Sequence, residues 1–329
     1  MLAADRYQET IVEKRRLGKS QLTIAPLMLG GNVFGWTADE KASFAVLDAF
    51  VDAGLNAIDT ADVYSAFVPG NKGGESETVL GNWFAARKNR GKVVLATKVG
   101  MLAIDGKSGL SRAHIARAVE DSLKRLKTDY IDLYFAHRDD ESTPLEETLE
   151  AFAALVKAGK VRTIGASNYS PARLKEALAV SEKKSLPRYE VLQPHYNLAD
   201  RKVYEAELQA VCRDNDLGVV PYFALALGFL TGKYRSEADA SKSPRGDRVV
   251  KGYLNDRGKK ILAALDSVSA RLKATPAQVS LAWLMARPTI TAPIASATSV
   301  AQMHDLVAAV KLKLDRDAMA ELDAASEEK

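Results

Sequence analysis

The chain has 329 residues, 47% of them apolar and 27% charged, with a formal net charge of +4. That length holds one large α/β barrel or two ordinary domains around a sizeable core, and the interleaving of Lys and Arg with Asp and Glu argues against a nucleic-acid surface. Cys212 is the single cysteine, which excludes an intrachain disulfide and a cysteine metal cluster and suits a reducing compartment.

In chain order, residues 1–13 read as a flexible N-terminal extension, and "KRRLGKSQLTIAP" as a hairpin turning at Gly18-Lys19-Ser20, placed to plug a barrel. Short β-branched runs then alternate with amphipathic segments. "APLMLGG", "LNAIDT", "KVVLATK" and "YIDLYFAH" are followed by "VRTIGASN", "YEVLQPH", "LGVVPYF" and "TITAPIA", with helical patterns between. Eight strands separated by helices must run parallel, and closing them into a (β/α)8 barrel leaves no exposed edge. Ser170-Pro171, Thr143-Pro144 and Thr275-Pro276 read as helix starts, each an N-cap followed by proline; Gly54, Gly159 and Gly218 mark where a helix stops and a strand begins. Residues 233–252, "KYRSEADASKSPRGDRVVKG", form a long polar loop after strand 7 that reads as a lid. With no repeat and no linker, residues 1–329 read as one domain. No apolar run reaches membrane-spanning length, and "MLAADRYQETIVEKRR" lacks a signal-peptide core, so a cytoplasmic chain without membrane association is expected; self-association as a homo-oligomer is left open.

In such barrels chemistry sits at the C-terminal ends of the strands. Those ends read Gly30-Gly31-Asn32, Asp59, Lys98, His137, Ser167-Asn168, Gln193, Tyr222 and Ser296-Ala297-Thr298. Each alone has a structural explanation, as a cap, a snorkelling lysine or a satisfied core histidine; together at one face they point to a site. A lysine ending an apolar strand wants a counter-ion, which Asp59 can supply. A tyrosine beside that ammonium, Tyr64, is expected to ionise more easily than at its ordinary value of about 10 and to donate a proton. A histidine on the next strand can hold a substrate oxygen. Acid plus oxygen-binding group suits hydride addition to a carbonyl.

These segments resemble the aldo-keto reductase superfamily over about residues 14 to 325. "GLNAIDTADVY" looks like its glycine-x4-DTA-x2-tyrosine signature, "VVLATKVG" its lysine strand and "LYFAHRDD" its histidine strand. "GASNYS" resembles its serine-asparagine turn, "LQPHYNL" its glutamine strand, and "PYFALALGFLTGKY" its cofactor loop. "GNKGGESETVLG" and "LTGKY" resemble the bacterial and potassium-channel-β-subunit-like branches. The resemblance implies a (β/α)8 barrel that reduces aldehydes or ketones with NADPH. It makes Tyr64 the proton donor, Lys98 and Asp59 its tuning pair, and His137 the orienting group. Ser167, Asn168 and Gln193 would bind the nicotinamide carboxamide, with Tyr222 stacked on its ring. Gly31 and Asn32 join this cofactor set. The loop from Phe223 to Lys233, with Ala224, Leu225, Ala226, Gly228, Leu230 and Gly232, would wrap the pyrophosphate, and Lys233 or Arg235 would supply charge toward the 2′-phosphate. Ala295, Ala297, Thr298, Ser299, Gln302 and Asp305 would hold the adenosine end. Phe34, Trp36 and Phe67, with Tyr64 and His137, are expected to wall the pocket of a small-molecule carbonyl substrate; Trp83 divides between that wall and helix core.

Some residues depart from that pattern or read as structural. Asp62 reads as a turn residue and His195 as loop packing. The adjacent Asp139 and Asp140 point apart on an extended chain, unlike a glycosidase pair. His114 and His304 lie far apart on helices, so no metal site is expected. Phe223-Ala224 replaces a frequent serine-proline. The turn "ATSVAQ" lacks the arginine or lysine that grips the 2′-phosphate in similar reductases, so NADPH is expected over NADH by a narrower margin. The alternative is a nucleotide-binding regulatory or auxiliary subunit with weak residual reductase activity, since channel subunits share the tetrad.

Overall fold

The computed structural model describes residues 12–328; the expected extension lies, as far as residue 11, outside them. Strands β1 (Arg15–Arg16) and β2 (Thr23–Ile24) form the antiparallel hairpin, Arg15 opposite Ile24. Its turn is closed by Ser20 N donating to Leu17 O at 3.1 Å. A Cβ on Gly18 would lie 2.4 Å from Glu190 O, so only glycine lets the hairpin approach the barrel floor this closely. Leu17, Leu22 and Ile24 pack there on the barrel's interior side chains, as a plug must.

Eight parallel strands follow: β3 (Met28–Gly30), β4 (Ala57–Asp59), β5 (Val94–Val99), β6 (Ile131–Ala136), β7 (Val161–Ser167), β8 (Tyr189–Gln193), β9 (Gly218–Val219) and β10 (Ile294–Ala295). Their order is β10-β3-β4-β5-β6-β7-β8-β9. Thr291 N donating to Val219 O and Ile294 N to Pro221 O, each at 2.9 Å, join the last two strands and close the ring. All eight expected strands are present, and the fold is the (β/α)8 barrel.

Around them run α1 (Glu40–Asp52), α2 (Glu75–Arg87), α3 (Arg112–Leu126), α4 (Leu145–Lys157), α5 (Pro171–Lys184), α6 (Gln209–Asp214), α7 (Gly246–Tyr253), α8 (Asp256–Leu272), α9 (Pro276–Ala286), α10 (Val300–Lys311) and α11 (Arg316–Ser326). Ser170 and Thr275 cap as expected, and Thr275 N donates a reciprocal bond to Gln278 Oε1. Thr143 does not: its hydroxyl donates to Asp140 at 2.7 Å, and Pro144 takes the cap position of α4 without a side-chain bond. The polar segment after β9 is more regular than its composition suggests, containing a 3-10 turn (Glu237–Lys242) and α7. Among the described residues no helix is long and apolar enough to cross a membrane.

Candidate active site

Strand parity builds the site. Ala57, Ala96, Phe135, Val191, Val220 and Ile294 point into the barrel and fill it, while Tyr134 and Ala136 join the layer under the helices. Gly165 leaves room for that filling, since its Cβ would come 2.5 Å from the Phe135 ring. Side chains two residues further along point the same way. Those are Asp59, Lys98, His137, Gln193, Tyr222 and Ser296, with Ser167 after Gly165. The layer above a packed floor is therefore polar, and it forms the base of a cleft of about 820 Å³ lined by each of these except Lys98.

Lys98 lies beneath the cleft with 0% exposure, and its three protons are all used. Nζ donates at 2.7 Å to Asp59 Oδ2, to Thr60 O and to the Tyr64 hydroxyl. Tyr64 in turn donates to Asp59 Oδ2 at 3.0 Å, and Gln193 Nε2 holds Asp59 Oδ1 at 2.9 Å. Burial depresses the lysine pKa, opposed by Asp59. Tyr64 is not made easier to ionise, as the sequence suggested, but harder. Burial and the Asp59 carboxylate push its pKa well above the ordinary value, which keeps the phenol protonated. His137 meets the Tyr64 ring edge-on at 6.1 Å. Burial and the Lys98 charge push its pKa well below the ordinary value, so the ring is neutral; its Nδ1 is buried without a partner.

Beside this cluster Ser167 Oγ donates to Gln193 O at 2.8 Å, and Asn168 Nδ2 donates to His137 O at 2.9 Å. Asn168 sits at φ 56°, and its Oδ1 accepts from the Tyr222 hydroxyl at 2.8 Å. His195 stacks on Tyr222 at 5.3 Å and 16°, backing that ring as packing rather than reaching the reacting end. The cleft continues past Asn32 along Phe223, Ala224, Leu225, Gly228 and Lys233 to Thr275, Ala295, Gln302 and Asp305. Amides, a hydroxyl and a backed aromatic ring at the barrel end, then a cation and polar groups beyond, match the parts of a nicotinamide dinucleotide. The residues fit that group.

A model of the aldo/keto reductase family matches residues 26–327. The chain belongs to that family. It is 38% identical to the uncharacterized oxidoreductase YrpG of Bacillus subtilis (strain 168), over 93% of each chain. It is 32% identical to the probable voltage-gated potassium channel subunit beta of Arabidopsis thaliana, over 91% of each chain. It is 30% identical to the L-glyceraldehyde 3-phosphate reductase of Escherichia coli O157:H7, over 97% of this chain and 93% of the relative.

Several residues expected at this aldo/keto reductase site lie away from the cleft. Phe34, Ala226, Leu230 and Ala297 are fully buried in the core, and Trp83 likewise, its Nε1 donating to Asp48. Gly31 sits behind the cleft, where a Cβ would meet Ser76 Oγ at 2.9 Å. Gly232 and Arg235 are outside it, and Arg235 is clamped to both oxygens of Asp266 at 2.7 Å. Trp36 supports the rim, edge-to-face with Phe67 at 5.0 Å. Thr298 and Ser299 serve the start of α10: Thr298 N and Oγ1 donate to Gln302 Oε1, and Ser299 Oγ accepts from Gln302 N.

Sequence reading missed Met101 and Arg245, which line the cleft, and a buried cluster behind it. Asp62, read as a turn residue, is 1% exposed with neither carboxylate oxygen partnered. Near it Glu77 accepts from Thr97 at 2.6 Å and from Arg125 at 2.7 Å. Burial and the Glu77 charge raise the Asp62 pKa to about 8. The folded chain holds this proton more tightly than the unfolded one, so raising pH favours unfolding. Stability is expected to fall by up to several kcal/mol between about pH 4 and pH 8. Asp62→Asn should remove most of that slope and melt higher than the native chain at pH 8. Melting curves across pH check this; parallel profiles would mean that Asp62 is ionised in the fold.

Proposed function

We propose that this chain is an NADPH-dependent cytoplasmic reductase, one barrel domain that converts aldehyde or ketone carbonyls to alcohols. The observation that carries the reading is the Lys98 ammonium donating at 2.7 Å to the Tyr64 hydroxyl within the cleft. Bound NADPH supplies the hydride that adds to the carbonyl carbon. Ser167, Asn168 and Gln193 would hold the carboxamide and Tyr222 the ring, with Lys233 toward the diphosphate. Neutral His137 donates a hydrogen bond that orients the carbonyl oxygen. Tyr64 turns its proton from Asp59 to that oxygen, and Lys98 stabilises the phenolate left behind.

The test is NADPH oxidation, followed by absorbance, against a panel of aldehydes and ketones. Absence of turnover across the panel would sink the enzyme reading. It would favour the second one, a nucleotide-binding auxiliary subunit; the plant relative, named as a probable channel subunit, supports the auxiliary part of that reading.

The cofactor preference has its own expected result. Without an arginine at Thr298, and with the Thr298 and Ser299 hydroxyls committed to Gln302, phosphate recognition would fall to backbone amides at the start of α10, which lack the strength of a charge-assisted bidentate pair. Asp305, held by Thr275 and Gln278, adds a negative charge to that region of the cleft. NADPH should be preferred over NADH by a modest factor, and Thr298→Arg should widen it about tenfold. Comparing kcat/KM for the two cofactors decides the matter; NADH favoured outright would mean that the turn rejects the phosphate.

A further inference from the structure

Arg245 differs from the other basic residues of the segment after β9. Arg235 is spent on Asp266, Lys242 pairs with Asp239, and Arg248 is exposed to water. Arg245 lines the cleft, half-buried, and its side chain makes no ion pair or hydrogen bond among the described residues. Its Cζ lies 4.8 Å from the Trp36 ring centroid, and Trp36 meets Phe67. It is close enough to Tyr64 that the guanidinium and the phenol act on each other's ionisation. This cation therefore lies within reach of Tyr64 at the reacting end of the cleft, and Tyr234, whose ring lies 5.1 Å from Lys233 Nζ, also acts on it.

No carboxylate of the cleft neutralises it. Asp59 is held by Lys98, and Asp305 by Thr275 and Gln278. A partly desolvated guanidinium without a counter-ion is costly, and that cost is relieved when an anion arrives. Held over the Trp36 ring, the guanidinium offers a planar fork that suits two-point capture of carboxylate or phosphate oxygens. Phe67 and Met101 at the rim, 62% and 38% exposed, offer apolar cover for the part of a ligand lying between.

We propose that the natural substrate is a carbonyl compound bearing an anionic group, a carboxylate or a phosphate, and that Arg245 grips that group while the carbonyl faces Tyr64 and His137. This rests on the reductase reading above. It makes Arg245 a determinant of specificity rather than of the chemical step.

The experiment compares 4-carboxybenzaldehyde with its methyl ester, and glycolaldehyde phosphate with glycolaldehyde, in the NADPH assay. The native chain should prefer the charged member of at least one pair by about tenfold or more in kcat/KM, the strength of a hydrogen bond to a charged group. The pair that shows the preference identifies the anion. Arg245→Met, which keeps the apolar stem over Trp36, should bring that ratio close to one, mainly through KM; Arg245→Lys should retain part of it. Calorimetric titration of the NADP+ complex with the preferred anion should show the matching loss of affinity, independent of turnover. Turnover of the neutral members without any preference for charge would overturn the proposal and leave the reductase reading standing. No turnover of any member, with the anion still bound tightly in an Arg245-dependent way, would sink the reductase reading instead. A weakened NADPH affinity in Arg245→Met, with the substrate ratio unchanged, would assign the arginine to the cofactor and overturn the proposal.

Discussion

Tyr64→Phe is expected to lower carbonyl reduction by at least about a hundredfold on every active substrate, the scale of a lost general acid. The reason is local. The phenyl ring still fits its place against His137, and the residues that would bind NADPH are untouched. Only the hydroxyl disappears, and with it the bond it donates to Asp59 and the one it accepts from Lys98. Cofactor affinity should therefore barely change, which separates loss of chemistry from loss of binding. Because Tyr64 is held protonated by its surroundings, its acid form should persist across neutral and mildly alkaline pH. Near-native turnover in Tyr64→Phe would mean that another group delivers the proton.

Lys98→Met should damage both stability and turnover. Asp59 is 1% exposed, and Lys98 is its cationic partner at 2.7 Å. Taking away one side of such a buried pair leaves a charge that the Gln193 amide and the Tyr64 hydroxyl only partly satisfy. The cost is about 3–5 kcal/mol, enough to lower the melting temperature visibly. Turnover should fall as well, because the ammonium that stabilises a developing phenolate is gone. Asp59→Asn combined with Lys98→Met removes both charges, so it should recover much of the stability and none of the activity. A double variant as unstable as the single one would mean that packing, not charge, is what Lys98 supplies.

Period-two patterning made the barrel legible. Alternation in "KVVLATK" and "YIDLYFAH" puts Ala96 and Phe135 inside, and it then places Lys98 and His137 on the same side one step higher. That rule needs no knowledge of the loops. What it cannot reach lies where local pattern stops deciding geometry. Asp62 does lie in a turn, but its burial beside Glu77 of α2 and Arg125 of α3 is a long-range effect that local pattern does not show. Arg245 was hidden in a segment of low hydrophobicity whose course over the cleft depends on α7, a helix of only eight residues. α11 escaped notice because most of its apolar residues are small alanines; Ala318 and Leu322 are nonetheless fully buried in the core, and polar ties such as Trp283 Nε1 to Asp323 at 2.9 Å and Arg201 to Ser326 at 2.8 Å add to that packing. Phe34 failed as a pocket wall because an aromatic beside a strand end serves core or cleft with the same local signal.

The N-terminal hairpin turns the barrel into a cup with a sealed floor. Leu17, Leu22 and Ile24 close the end opposite the cleft beneath side chains that already fill the barrel, and together they leave no passage through the molecule. Whatever enters at the mouth must also depart there. Arrival and departure therefore share one doorway, bordered by the segment after β9. A change that loosens that border should quicken both directions of traffic, and one that stiffens it should slow both, even where the reacting groups below are unaltered.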